Sequence, residues 1–423
     1  MSIENNQLNV IKYHNSESTL PTFGHKGRFA ASQNTPYSLI DEEISLPAAV
    51  IKRSALKSNI DWMQSFANHH QVKLSPHGKT TMTPAFFSKQ LEAGAWGITV
   101  ATPAQAEVAA LAGAKNIIMA NQLVGKANMA IVAQLIRDYD VEFYCCVDSL
   151  INLDALDDYF ANETKPLNVF IEFGVPGGRC GVRSAEELIE LADSTQGMAG
   201  IKLAGIEVYE GVIGGNNAEE KIREFLAQSL ELVQKLKCVG LIEGQPIVSG
   251  AGSAWYDVVA ESFANLTHTL AIIRPGCYAI HDTGIYLEAQ SKVMQRAQTN
   301  QGYACELGGD LNSSLEVWAY VISRPEDEKV IIGLGKRDVA FDAGLPIPER
   351  AYRNGQAISV EGLVSTDVMD QHTFMKVDPN SDIQVGDMIA FSTSHPCLTF
   401  DKWRYIAICN DEYQVEEWVE TRF

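Results

Sequence analysis

From about residue 48 to residue 290 the chain alternates short apolar runs with helix-forming stretches, and this alternation restricts the fold more than any other feature. The apolar runs are Ala49–Lys52, Val72–Pro76, Gly97–Ala101, Asn116–Ala120, Val141–Val147, Leu167–Glu172, Leu203–Tyr209, Pro246–Ser249 and Ala271–Arg274. Many are rich in Val and Ile and apolar on both faces, the pattern of parallel strands covered by helices. Helix formers such as Ala104–Ala112 and Ala185–Ala192 lie between them, the second opened by Ser184 as N-cap with Glu187 in the capping-box position. Roughly eight β-then-α units over about 240 residues predict an α/β fold built on a (β/α)8 barrel. A doubly wound open sheet is the competing arrangement. It would bring a glycine fingerprint after its first strand, and Ala49–Ser54 has none.

After about Gln290 the texture changes. Glu316–Ser323, Lys329–Ile332, Gln356–Val364, Thr373–Val377, Met388–Phe391 and Tyr405–Cys409 are β-like, and turn formers such as Asp378-Pro379-Asn380 separate them. The expected organisation is a polar arm over 1–45 packing on the C-terminal domain, a barrel over 46–290 and a mostly β domain over 291–423.

Bulk composition excludes some functions. The formal charge is −20, from 53 acidic residues against 33 Lys and Arg, so a duplex-binding face is not expected. The eight cysteines form no CxxC pair, which favours reduced thiols in a cytoplasmic protein over a disulfide framework. Met1 to Ser32 is polar and carries no secretory pattern. No charge-free window is long enough to span a bilayer.

Six stretches carry residues suited to chemistry. Lys79, in Pro76-His77-Gly78-Lys79-Thr80, follows an early strand, where a barrel enzyme places its active site. A neutral lysine there condenses with carbonyls, and a solvated turn lysine is the plain alternative. Ser249-Gly250-Ala251-Gly252-Ser253 and Arg274-Pro275-Gly276-Cys277-Tyr278 follow late strands, and their small residues suit backbone donors to a phosphate. Arg179 sits in a glycine-rich loop and offers a guanidinium fork to a planar anion, or else a structural ion pair. Tyr209 closes another strand, where it could stack on a cofactor or simply edge the core. In Ser394-His395-Pro396-Cys397, an extended chain would point His395 and Cys397 at one spot, and imidazole plus thiolate suit zinc. As an isolated pattern, His-x-Cys is also a common coincidence.

Together these motifs resemble the D-threonine aldolase/D-serine dehydratase-like family, within the alanine racemase-like, fold-type III enzymes of pyridoxal 5'-phosphate (PLP). The resemblance runs from about Thr35 to Lys402. It is carried by Pro76-His77-Gly78-Lys79-Thr80, Arg179-Cys180-Gly181-Val182, Tyr209-Glu210-Gly211, Arg274-Pro275-Gly276-x-Tyr278 and His395-Pro396-Cys397-x-Thr399-Phe400-Asp401-Lys402-Trp403. It implies a PLP-binding TIM barrel, a mostly β C-terminal domain and a homodimer. By the same resemblance Lys79 bonds the cofactor aldehyde and is catalytic. His77, Arg179, Tyr209, Ser249, Gly250, Gly252, Ser253, Gly276, Cys277 and Tyr278 surround the cofactor, Tyr278 at the ring nitrogen. His395 and Cys397 hold a divalent metal, zinc ahead of manganese or magnesium. The His-x-Cys pair resembles the dehydratases, whereas aldolases more often show Asp at its second position. Two departures stand out. Gly333-Leu334-Gly335-Lys336-Arg337 lacks the tyrosine that racemases use as opposing base, and Cys277 replaces a more usual small β-branched residue.

The expected function is dehydration of a β-hydroxy D-amino acid such as D-serine followed by hydrolysis, giving a 2-oxo acid and ammonia. The alternatives are retro-aldol cleavage of D-threonine to glycine and an aldehyde, and a non-catalytic PLP-binding protein. None of these involves nucleic acid or membrane.

Overall fold

A computed structural model describes residues 24–29 and 36–423. The strands in chain order are β1 (Ala48–Lys52), β2 (Lys73–Leu74), β3 (Ile98–Val100), β4 (Asn116–Gln122), β5 (Glu142–Val147), β6 (Leu167–Phe173), β7 (Ile201–Val208), β8 (Ile247–Gly250) and β9 (Leu270–Ile273). Strands β2 to β9 form one parallel sheet of eight in the order β2-β9-β8-β7-β6-β5-β4-β3. Its ends curl together. Trp96 N–H donates to Leu74 O at 2.7 Å, Thr99 N–H donates to Pro76 O at 2.8 Å, and His77 bridges Thr99 in parallel. The expected eight-stranded barrel is therefore present. Helix starts follow their caps: Thr102 Oγ1 accepts from Gln105 N–H and Ser184 Oγ from Glu187 N–H. The Glu187 carboxylate answers one residue early, accepting from Arg183 N–H at 2.7 Å rather than from Ser184.

Ala49–Lys52, expected among the barrel runs, stands outside the barrel: β1 pairs antiparallel with β10 (Leu315–Glu326) and parallel with β17 (Tyr405–Cys409). Its apolar character is satisfied in the second sheet, so hydrophobicity alone could not place it. That sheet also takes in β11 (Lys329–Ile332), β12 (Ile347–Arg353), β13 (Gln356–Ile358), β14 (Val364–Val368), β15 (Thr373–Lys376), β16 (Met388–Ser392) and β18 (Val415–Glu420). The first half of β10 pairs with β1 and β16, and its second half with β11.

Of the polar arm, residues 36–45 lie on this β domain. Leu39 N–H donates to Tyr413 O at 3.0 Å, and Leu39 and Ile44 pack in a cluster with Trp318. Residues 1–23 and 30–35 of the arm are outside the described residues. One continuous core otherwise runs from the barrel helices into the β domain, from Met63 and Val132 to Val317 and Phe391. Among the described residues no helix is long and apolar enough to cross a membrane.

Strand alternation sets the barrel interior. Successive residues of a strand face opposite sides, so every second residue points inward. Ile118, Tyr144, Phe170, Ala204, Ile247 and Ile272 fill the lower interior as a separate apolar cluster, with the Tyr144 and Phe170 rings stacked at 5.2 Å. Two residues further on, Cys146, Glu172, Ser249 and Arg274 form the next layer, and this layer is polar. It lies beneath the cavity described next, which Arg274 alone of these four lines.

Candidate active site

The C-terminal ends of the barrel strands open into a cavity of about 140 Å³, at the end of the barrel where such folds place their small-molecule sites. His77 and Lys79 line it after β2, Asn121 near the end of β4, and Arg179 in the loop after β6. Tyr209 follows β7, Gly252 and Ser253 follow β8, and Arg274, Gly276 and Cys277 follow β9. The structure thus brings together most of the residues that the sequence singled out.

Lys79 sits in a short 3-10 turn, Gly78–Thr80. A side chain at Gly78 would meet the Phe87 ring at 2.5 Å, so the turn lies tight on the following helix and aims Lys79 at the cavity. The Lys79 side chain opens onto this space, while the dense walls desolvate its ammonium and lower its pKa. Cys397 and Cys277 oppose that shift, and Arg179 and Arg274 add to it. His77 is held neutral: burial first, then Lys79, Arg274 and Arg179, lower its pKa.

The phosphate-type turns divide their labour. Gly276 N–H and Cys277 N–H both donate to Ser253 Oγ at 3.3 Å, so their donors converge on one point of the cavity wall. A Cβ at Gly276 would stand 2.6 Å from His77 O, which is why a glycine lets these two loops meet. The loop after β8 behaves differently from expectation. Its Ala251 and Gly252 N–H groups donate to the buried Glu210 carboxylate, at 3.1 and 2.8 Å, rather than facing outward. Gly250 is the last residue of β8, packed near Val208 and Val259. Ser249 is inside the barrel, and its hydroxyl lacks a protein partner. Ser249 and Gly250 therefore do not line the cavity, because both belong to the strand and not to the turn.

Tyr278 is placed for the core rather than for the cofactor ring. It is 2 % exposed, and its hydroxyl accepts from Gln90 Nε2 at 3.0 Å. In the 3-10 turn Cys277–Ala279 successive side chains are rotated by about 120°, so Cys277 lines the cavity while Tyr278 enters the core.

Arg179 stacks on the Tyr209 ring, its guanidinium carbon 4.5 Å from the centroid. Its loop is tied by Arg183, whose guanidinium donates to Cys180 O at 2.6 Å and Gly181 O at 2.8 Å. On the floor, Arg274 ion-pairs with Glu207 and donates to Val208 O at 3.0 Å. Gln122 donates to Glu172 at 2.7 Å, and burial, then the nearby Glu207, push the Glu172 carboxyl up to about 7. Cys146, Glu172 and Glu207 bring ligand atoms within 4.8 Å of one another. Arg274 already meets this negative charge, so the cluster reads as a salt-bridged floor. Glu207, Glu210, Arg183 and Asn121 were missed from the sequence. Each is a lone polar residue at a strand end or in a loop, and only the closed barrel shows what it touches.

His395 and Cys397 meet at the cavity edge, by a route other than the one expected. Pro396 is helical (φ −65°, ψ −36°) and Cys397–Phe400 is one helical turn, not an extended strand. Proline's fixed φ suits a helix start, and Phe400 N–H donates back to Pro396 O at 2.9 Å. Asp342 Oδ2 lies 2.8 Å from His395 Nδ1, which leaves the other ring nitrogen for Cys397. The Cys397 sulfur is 3.6 Å from Cys277 Sγ and 3.4 Å from Thr80 Oγ1. Hydrogen bonds from Cys277, His395 and Thr80 pull the Cys397 thiol down to about 5 against its burial. The bond to that thiolate, helped by Asp342, lifts His395 to about 9. Tyr286, another residue the sequence did not flag, lines the same wall.

These walls fit PLP. They offer one amine at Lys79, a converging pair of N–H donors beside Ser253, and two buried nitrogens without a protein partner, His77 Nδ1 and Arg274 Nε. The donor set of an imidazole and a lowered-pKa thiol fits a borderline-soft cation such as zinc.

Known proteins resemble this chain over both its barrel and its C-terminal region. Residues 51–282 match the family model of the alanine racemase N-terminal domain, and residues 314–409 match a model for a serine dehydratase domain. The chain is 26 % identical over 383 residues to a D-threonine aldolase from Arthrobacter sp., covering 89 % of this chain and 92 % of that protein. It is 24 % identical to the D-threo-3-hydroxyaspartate dehydratase of Delftia sp. strain HT23, covering 84 % and 92 %. The fold superposes on the crystal structure of D-threonine aldolase from Filomicrobium marinum with a TM-score of 0.73 at 22 % identity, covering 90 % of this chain and 95 % of that one. With more than half of its length matched by one family model, the chain belongs to the alanine racemase-like family, and its C-terminal region matches the serine dehydratase domain.

Proposed function

We propose that this protein is a PLP- and zinc-dependent lyase that dehydrates and deaminates β-hydroxy D-amino acids, D-serine being the simplest. The comparisons support the broader class, a PLP-dependent lyase of β-hydroxy D-amino acids. One observation carries the finer reading: the thiol of the Cys397–His395 pair lies 3.4 Å from the hydroxyl of Thr80, the residue after Lys79 and itself a cavity wall.

Lys79 bonds the cofactor, and Ser253 Oγ with the Gly276 and Cys277 amides receives its phosphate. The cofactor, once bound, supplies an electron sink for charge left at Cα. Once the substrate amine has taken its place on the cofactor, Lys79 Nζ would be free, and its lowered pKa would keep more of it neutral near pH 7 than an ordinary lysine, fit to remove the Cα proton. Arg179, stacked on Tyr209, offers its fork to a carboxylate or to the ring. His395 and Cys397 would hold the cation, which would supply Lewis acidity for loss of the β-hydroxyl. Asp342 orients the His395 ring for that purpose. Loss of the Cα proton to Lys79 and of hydroxide from Cβ, then hydrolysis, releases a 2-oxo acid and ammonia. Phe341 and Leu398, next in sequence to Asp342 and Cys397, are exposed large apolar side chains, which suits cover by a second copy in a homodimer.

Retro-aldol cleavage is the second reading, favoured by the identity to the Arthrobacter D-threonine aldolase. Product analysis separates the two. The PLP- and zinc-loaded protein is expected to form pyruvate and ammonia from D-serine. Glycine and acetaldehyde from D-threonine would assign it as an aldolase. Absence of any 2-oxo acid from D-serine, D-threonine and 3-hydroxyaspartate would remove the dehydratase reading.

A further inference from the structure

We infer that Cys277 is a third protein ligand of the cation, so that the site is Cys277–Cys397–His395 with one open position. The inference rests on the metal reading of His395 and Cys397 proposed above and adds a residue to it.

A catalytic zinc is usually held by three protein ligands and keeps its fourth position for water or substrate. The His-x-Cys motif offers two. Cys277 lies 120 positions earlier and is 3 % exposed, and its Sγ is 3.6 Å from Cys397 Sγ. Two sulfurs on a tetrahedral zinc, each bonded at about 2.3 Å, stand about 3.8 Å apart. A disulfide would need them at about 2.05 Å. The observed separation is therefore close to one that a cation would bridge, and it is also the contact distance of two hydrogen-bonded thiols. The surroundings favour the first. Each of the three candidate ligands already has an outer partner of the kind that orients metal ligands. Thr80 Oγ1 lies 3.4 Å from both sulfurs, Tyr286 shares the cavity wall with Cys277, and Asp342 holds His395 Nδ1.

One adjustment is required. Among the described residues, three ligand atoms mutually within 4.8 Å occur only in the Cys146 floor layer. The His395 ring, at the edge of the site, must turn toward the sulfur pair as the cation enters.

The arrangement has a functional consequence. Cys277 donates its backbone N–H toward Ser253 on the phosphate side and presents its thiol on the metal side. One residue thus fixes the spacing between cofactor and cation. Two thiolates with one imidazole select zinc over magnesium or manganese. A single open position then remains for the substrate hydroxyl.

The test is zinc K-edge X-ray absorption on the full-length, PLP-loaded protein carrying one equivalent of zinc. Two sulfur scatterers at about 2.3 Å are expected. Cys277→Val, with its cofactor absorbance retained, is expected to show one sulfur. Its zinc affinity in chelator competition should fall by more than the roughly 10–100-fold typical of losing an outer partner. One sulfur in the wild type overturns the Cys277 assignment while leaving the two-residue metal site standing. So does a Cys277–Cys397 disulfide in the peptide map of the zinc-loaded protein, or unchanged affinity in the variant. No zinc bound by the wild type overturns the metal reading itself. The wild-type sulfur count decides the matter even if the variant fails to fold.

Discussion

Thr80 Oγ1 and Cys397 Sγ are 317 positions apart in the chain and 3.4 Å apart in space. This contact joins the lysine turn of the barrel to the helical turn of the β domain. It makes one site out of two motifs.

Lys79→Ala is expected to abolish the visible absorbance of bound cofactor and to cut 2-oxo acid formation by about 10²–10⁴-fold or more, the scale of a lost proton-transfer group. Circular dichroism of the variant should match the wild type, because the side chain opens onto the cavity and not into the core.

Asp342→Asn should weaken zinc binding by about 10–100-fold, since the carboxylate facing His395 Nδ1 sets that ring's orientation and basicity. Chelator competition checks it. PLP content should be unchanged, because Asp342 lies on the metal side of the site and outside the cofactor cavity lining.

Glu210→Ala leaves two buried N–H groups, on Ala251 and Gly252, without their acceptor. Each such loss costs about 1–3 kcal/mol. A lower melting temperature and a weaker PLP dissociation constant are expected together, because the freed loop carries Ser253. An unchanged PLP constant would show that this loop does not shape the phosphate site.

Glu172 sets a pH dependence. Its carboxyl is raised from 4.5 to about 7, by burial first and Glu207 second. A raised acid keeps its proton in the folded state after the unfolded chain has lost it. Its contribution is full below pH 4.5 and is lost as pH rises toward 7. Glu172→Gln should therefore flatten the fall in melting temperature across that window. An identical profile for wild type and variant would place the titration elsewhere.

Much of the fold was legible because its signals are local. Parallel strands buried on both faces read as apolar runs, as β6 does with every residue buried. The Ser184 cap likewise depends on neighbours three residues apart. Ala48–Lys52 carries the same apolar signal but pairs with strands hundreds of residues away, so its sheet could not be read locally. The site divides in the same way. Lys79, Arg179, Tyr209 and Gly276 were legible because motif and strand end coincide. Tyr278 was not, because one residue along a tight turn reverses which side a group faces.

The chain by itself determined which residues could carry chemistry: a lysine after an early strand, small residues after late strands, and a His-x-Cys pair. Side-chain type and short-range backbone preference are written in the sequence. The tertiary structure alone decided their company. Barrel closure made Glu210 the anchor of a turn and Arg274 the counter-charge of Glu207. The docking of the β domain brought Cys397 to Cys277 and Thr80. Those relationships depend on which distant segments pack together, and that is set by burial over the whole core rather than by any window of the chain.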